Sequence, residues 1–100
     1  MGVLDGKAAI VTGSARGIGR ATAELLAEQG ARVLINDLDR DVAEQAASEI
    51  SGETAVFGGD LTKPGVPDRL IQTAVDEFGQ IDVIVNNAGY TWDGVAHKMT

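Results

Sequence analysis

The chain contains no cysteine, one histidine, two prolines and four aromatic residues among its one hundred positions. Without thiols it can form no disulfide and do no thiolate chemistry, although its compartment does not follow from that. The single histidine, His97, has no His, Cys or acidic cluster at ligand spacing, which argues against a metal site. No apolar run approaches the roughly 18 residues of a membrane span. The start, Met1-Gly2-Val3-Leu4-Asp5-Gly6, lacks the apolar stretch of a secretory signal, and Gly6 stands where myristoylation needs Ser or Thr. Basic residues are also scarce, with 8 Lys and Arg against 15 Asp and Glu, a net charge of −7 and a pI near 4.4. That balance excludes a general grip on nucleic acid. A cytoplasmic protein with no membrane and no nucleic-acid partner is the expectation.

The apolar fraction of 44% is ordinary for a soluble globular protein, and a compact chain of this size buries roughly two-thirds of its unfolded surface. The organising stretch is Thr12-Gly13-Ser14-Ala15-Arg16-Gly17-Ile18-Gly19. It follows the apolar run Ala8-Ala9-Ile10-Val11 and opens a helical pattern reaching about Gln29. Strand, glycine-rich turn and helix N-terminus in that order make a phosphate cradle, because first-turn amides have no partner inside the helix. The expected role of Gly13 is a sharp turn, that of Gly17 an open approach for pyrophosphate, and that of Gly19 close packing of helix on sheet. The spacing is G-x-x-x-G-x-G rather than the common G-x-G-x-x-G. With 13 glycines in the chain, ordinary turn and cap use would explain a triplet alone; the flanking strand and helix argue for more.

The remaining chain alternates in the same way. The first strand is expected over residues 7–12, apolar on consecutive positions as in a parallel strand covered on both faces. The first helix carries Ile18, Ala21, Leu25 and Leu26 as its core face, with Arg20, Glu24 and Glu28 opposite, and Gly30 as its C-cap glycine. A second strand over 32–36 ends at Asp37, and Asp39 caps a second helix with the stripe Val42, Ala46 and Ile50. A short strand over 54–57 turns at Gly58-Gly59-Asp60, and Thr62-Lys63-Pro64-Gly65 is a loop. Pro67 opens a third helix with Leu70, Ile71, Ala74, Val75 and Phe78 inward, closed by Gly79. A fourth apolar strand over 81–85 runs into Asn86-Asn87-Ala88-Gly89. This βαβαβαβ order predicts an α/β fold, a Rossmann-type doubly wound parallel sheet of strand order 3-2-1-4 with strand four at its edge. Ligands of such sheets bind outside the carboxyl ends of the strands, where 12–19, 37–38, 60–61 and 86–89 all fall.

The set of motifs resembles the short-chain dehydrogenase/reductase family over about residues 5–100. Thr12-Gly13-x-x-x-Gly17-x-Gly19 matches its cofactor motif, Asn86-Asn87-Ala88-Gly89 its second signature, and Asp60-Leu61 its acidic pair near the adenine. Within the family, 12–20 and the strand-four region look like the 3-oxoacyl-(acyl-carrier-protein) reductase type. The resemblance implies a nicotinamide cofactor held by Gly13, Ser14, Arg16, Gly17, Ile18, Gly19, Asp37, Leu38, Asp60, Leu61, Asn87, Ala88 and Gly89. It also implies a small carbonyl or alcohol substrate and a homo-oligomeric full-length form. The family's catalytic Ser and Tyr-x-x-x-Lys have no counterpart here: Tyr90 is the only tyrosine, and Gly94 stands four residues on. Residues 1–100 are therefore expected to be the dinucleotide-binding portion of a longer enzyme, with no catalytic residue of their own.

Each candidate also has an ordinary use. Asp37 either reads the adenosine ribose, favouring NAD over NADP, or shares the capping of helix two with Asp39. Asp60 either contacts adenine or begins an acidic turn. Asn87 fits both a backbone brace and a cofactor contact. Trp92 suits a substrate mouth or a loose loop equally. The alternative function is a dinucleotide-binding regulatory or redox-sensing module, which lacks the downstream Tyr-x-x-x-Lys. A methyltransferase using S-adenosylmethionine has no place for Asn86-Asn87-Ala88-Gly89.

Overall fold

A computed structural model describes residues 2–87 of the chain. Four parallel strands, β1 (Ala8–Val11), β2 (Arg32–Asp37), β3 (Thr54–Gly58) and β4 (Val83–Val85), lie in the order β3-β2-β1-β4. Between them run α1 (Gly17–Glu28), α2 (Arg40–Glu49) and α3 (Val66–Phe78). The strand order is the one expected from the alternation, and it puts β1 and β2 at the centre.

Strand side chains point alternately to the two faces, so each central strand feeds two cores. Val11, Val33 and Ile35 meet Ala23 of α1 and Ala43, Ala46 and Ala47 of α2 on one face. Ala8, Ile10 and Leu34 meet Val66, Leu70, Ala74 and Phe78 of α3 on the other. Helix ends follow the residue chemistry. Asp39 caps α2 by accepting the Asp41 N–H at 2.9 Å. Pro67 sits in the first turn of α3, and Gly79 ends that helix in the left-handed region at φ 79°. Arg32 pins the opposite end of the sheet, donating to the Phe78 carbonyl at 2.9 Å and lying 5.4 Å from the centroid of the Phe78 ring.

The structure corrects two helix faces. In α1 the buried residues are Gly19 and Ala23, with Leu26 and Ala27 partly buried beside them. Ile18 is 78% exposed, Leu25 57%, and Ala21 is exposed too. Rotation of α1 is set at its start, where Gly19 packs against the carbonyl of Gly13. The small residues four and eight positions later then face the sheet, and the larger apolar stripe turns away. Arg20, expected on the solvent side, reaches across to Glu49 of α2 at 2.7 Å. In α3, Val75 is 40% exposed while Leu70, Ala74 and Phe78 fill the core as expected. In α2, Ala46 and Ile50 are buried and Val42 partly so, joined by Ala43 and Ala47.

Strands β1 and β4 are shorter than the expected spans of 7–12 and 81–85. Asp82 stands just before β4; its N–H donates to the Ala8 carbonyl at 2.8 Å and its carboxylate accepts the Ala8 N–H at 2.9 Å. Gln80 Nε2 donates to the same carboxylate at 2.6 Å. The Ala8 hydrogen bond, followed by that from Gln80, holds the Asp82 carboxyl below its usual range. A carboxylate depressed in the folded chain stabilises it above the unfolded pKa of about 4, and that contribution is lost as pH falls through the folded value. Asp82→Asn is therefore expected to flatten the loss of stability below about pH 4. Urea denaturation midpoints at pH 7 and pH 3 check this; an unchanged pH dependence would rule out the role.

Candidate dinucleotide-binding site

The carboxyl ends of the parallel strands share one edge of the sheet, and the glycine-rich turn rises from the central one. Its backbone is left-handed at Gly13 (φ 60°) and at Gly17 (φ 62°), a region unfavourable for side chains with a Cβ. Arg16 occupies the N-cap of α1 in extended conformation and makes no side-chain cap, and the first turn carries no acidic residue. The first-turn amides of α1 thus have no capping side chain, which suits an anion. A Cβ at Gly17 would meet nothing within 4 Å, so that position opens outward. A Cβ at Gly19 would collide with the Gly13 carbonyl and stand 2.5 Å from Asn87 Nδ2.

Side chains hold the turn from both flanks. On one side, Asn36 Oδ1 accepts the Gly13 N–H at 3.2 Å, and Ser14 Oγ accepts the Asn36 N–H at 2.9 Å. On the other, Thr12 Oγ1 accepts the Asn87 N–H at 2.9 Å, and Asn87 Nδ2 donates to the Gly13 carbonyl at 3.4 Å. Asn87 is thereby a brace for the turn, and it also lines the adjoining cleft. The Ser14 hydroxyl is fully buried and engaged with Asn36.

The cleft has a volume of about 620 Å³. The turn lines it with Gly13, Arg16, Gly17 and Ile18, β2 and its exit with Asn36, Asp37 and Leu38, and Gly59 and Asn87 complete it. Asp37 ends β2 with its side chain only 9% exposed, whereas that of Arg16 is 70% exposed. Arg16 donates to both Asp37 oxygens, from Nη2 at 3.3 Å and from Nε at 3.4 Å. Asp37 Oδ1 also accepts the Asp39 N–H at 3.1 Å, so it supports the start of α2 while facing the cleft. Only the guanidinium side of this pair is exposed to solvent.

Asp60 and Leu61 do not line this cleft. Asp60 Oδ1 accepts both the N–H and the hydroxyl of Thr62, at 2.9 and 2.6 Å, and the hydroxyl bond first of all keeps its carboxyl below the ordinary range. Leu61 is buried in the α3 core. Ala88 and Gly89 lie outside the described residues, as do Tyr90, Trp92, His97 and Lys98. Among the described residues, no three His, Asp or Glu side chains gather as a metal site. Asn36 and Gly59 line the cleft without being expected there, and Thr12, expected only as part of the glycine motif, braces the turn. The available signal was Asn36 itself, an amide directly after the apolar run of a buried strand, where it must find partners.

Gly19→Ala is expected to destabilise the fold by about 1–3 kcal/mol, because the Gly13 carbonyl in its way is backbone and cannot swing aside. Chemical denaturation measures this, and a stability within error of the unmutated chain would contradict the packing described.

Comparison with known proteins places this geometry in context. Over residues 7–100 the chain matches the family model of short chain dehydrogenases. Sorbitol dehydrogenase of Cereibacter sphaeroides is 46% identical over 85 residues, which are 85% of this chain and 33% of the relative. The 3-oxoacyl-(acyl-carrier-protein) reductase of Vibrio cholerae is 42% identical over 96 residues, 96% of this chain and 39% of the relative. A crystal structure of hydroxysteroid dehydrogenase from Escherichia coli superposes with a TM-score of 0.83 at 37% identity, over 87% of this chain and 38% of that one. The chain thus spans between 33% and 39% of the length of these relatives. On the match of 94 of its residues to the family model, and on the superposition at a TM-score of 0.83, the chain belongs to the short-chain dehydrogenase family.

Proposed function

We propose that this chain binds the adenosine and pyrophosphate half of a nicotinamide dinucleotide, within an oxidoreductase acting on a carbonyl/alcohol pair. The observation that carries the reading is the cleft itself, where a buried carboxylate at the tip of β2 faces an uncapped, glycine-lined helix start. The open position at Gly17 fits a bound pyrophosphate, since a side chain there would fill the approach and none of the described residues does. Amides at the start of α1 would hold the phosphates, Asp37 the ribose hydroxyls, and Leu38, 61% exposed, the adenine side. Gly13, Ser14, Gly19 and Asn87 shape and brace the turn, with Ala88 and Gly89 proposed to continue that wall by the family resemblance. Asp60 and Leu61 are proposed as adenine-side residues on the same ground alone. The nicotinamide, when bound, supplies or accepts hydride.

NAD(H) is preferred to NADP(H). A 2′-phosphate would stand against Asp37, at a cost on the order of 4 kcal/mol per charge pair at 4 Å and an effective dielectric of 20. Arg16, next to the same carboxylate, offsets part of that. The substrate class is broad, because relatives named for sorbitol, a 3-oxoacyl thioester and a hydroxysteroid are all similar to this chain. A 3-oxoacyl thioester is one member of it. A cytoplasmic homo-oligomer is the form proposed for the full-length protein.

Fluorescence titration of the full-length protein tests the cofactor reading, with NADH expected to bind more tightly than NADPH and Asp37→Ala expected to narrow the difference. Equal or tighter binding of NADPH by the unmutated protein would sink it. Gly17→Val is expected to abolish binding of both, and also to cost stability, because the backbone at Gly17 is left-handed. Residues 1–100 alone are expected to turn over no ketone, because proton transfer to the carbonyl needs a positioned acid. Turnover by that stretch would refute the division of labour.

A further inference from the structure

Asn36 is 2% exposed, in a strand whose other central residues, Val33, Leu34 and Ile35, are fully buried and apolar. An apolar side chain would avoid the desolvation of an amide at such a position. Both ends of the amide are engaged instead. Its Oδ1 accepts the Gly13 N–H at 3.2 Å, and its Nδ2 donates to the Phe57 carbonyl of β3 at 3.0 Å. Its own backbone N–H donates to Ser14 Oγ at 2.9 Å, and its carbonyl accepts the Ser14 N–H at 2.8 Å. The paired register of β1 with β2 stops at Val11 and Ile35. Beyond that point, these bonds tie the buried part of the glycine turn to β2, with the half-exposed Arg16–Asp37 pair outside them, while Nδ2 anchors the same side chain to β3. The next residue is Asp37.

We infer that Asn36 is a positioning residue that sets the spacing between the glycine turn and the Asp37 carboxylate, so that one dinucleotide meets both together. This rests on the cofactor reading above. A ligand that touches two points gains from the second contact only if the points are held at the span of the ligand; once misaligned, that gain is lost without change at either point. The Gly13 amide is spent inward on Asn36, so the turn holds its shape before any ligand arrives. The role therefore predicts a loss confined to ligands that bridge the two points.

The test compares adenosine, which reaches the carboxylate alone, with ADP-ribose, which reaches both points, on the full-length protein and its Asn36→Leu variant. ADP-ribose is expected to weaken by at least about tenfold, while adenosine stays within about twofold. Equal weakening of both, or no weakening of ADP-ribose, would overturn the positioning role. If the unmutated protein binds neither ligand, the cofactor reading fails and this role with it, an outcome distinct from the first two. Hydrogen exchange on the unmutated, ligand-free protein supplies a second measurement that needs no variant. The Gly13 and Ser14 amides are expected to be protected as well as those of β1. Free exchange there until ADP-ribose is added would show that the turn is not held in advance, and would overturn the inference.

Discussion

Everything at the carboxyl edge of this sheet depends on how β1 ends. As the central strand it is paired on both sides, with β2 and with β4, and its backbone is buried along its whole length. Where the chain leaves the ladder to turn into α1, buried donors and acceptors still need partners. Neighbouring strands no longer run alongside to supply all of them. Thr12, Asn36 and Asn87 take over with side-chain hydrogen bonds, and the turn they hold is the one that faces the cleft. Stability and site geometry thus draw on the same few bonds.

The fold was legible because its main signals are local and repeated. Consecutive apolar runs, helix caps at Asp39 and Gly79, and a short connection after every element leave one topology with right-handed crossovers. Helix rotation was less legible. In α1 two stripes compete, one of Ile18, Ala21 and Leu25 and one of Gly19, Ala23 and Ala27, and hydrophobicity favours the first. Contact between Gly19 and the Gly13 carbonyl decides for the second, and that contact is between parts of the chain brought together only by the turn. The turn residues of the site could be read from their spacing. Asn36 could not, since its partners Gly13, Ser14 and Phe57 lie about two dozen residues away on either side.

Two aspartates at the ends of neighbouring strands show how environment divides one residue type into different uses. Asp37 is nearly buried, faces the cleft and has an arginine across from it. Asp60 folds back on Thr62, which takes one of its oxygens twice over and draws its carboxyl down. Sequence offered a binding role and an ordinary one for each. For Asp60 the geometry displays the turn-forming role directly. Asp37 keeps both, because its contact with the Asp39 N–H leaves its other oxygen turned to an exposed guanidinium rather than to backbone.

The layer of α1 and α2 against the sheet is made largely of alanine: Ala23, Ala27, Ala43, Ala46 and Ala47. Alanine has no side-chain rotamers to lose, whereas each buried Leu or Ile surrenders about 0.5–1 kcal/mol of rotamer freedom on folding. The opposite face, with Leu70 and Phe78, has side chains that can adjust their χ angles to a disturbance. On the other face the two helices themselves bring little that can adjust at these five positions. A larger residue at Ala23 could be accommodated only by lifting α1 as a rigid rod, and the rod carries the glycine-lined helix start with it. The tolerance of this protein to substitution should therefore be lopsided: permissive under α3, and strict under the helix that begins at the cleft.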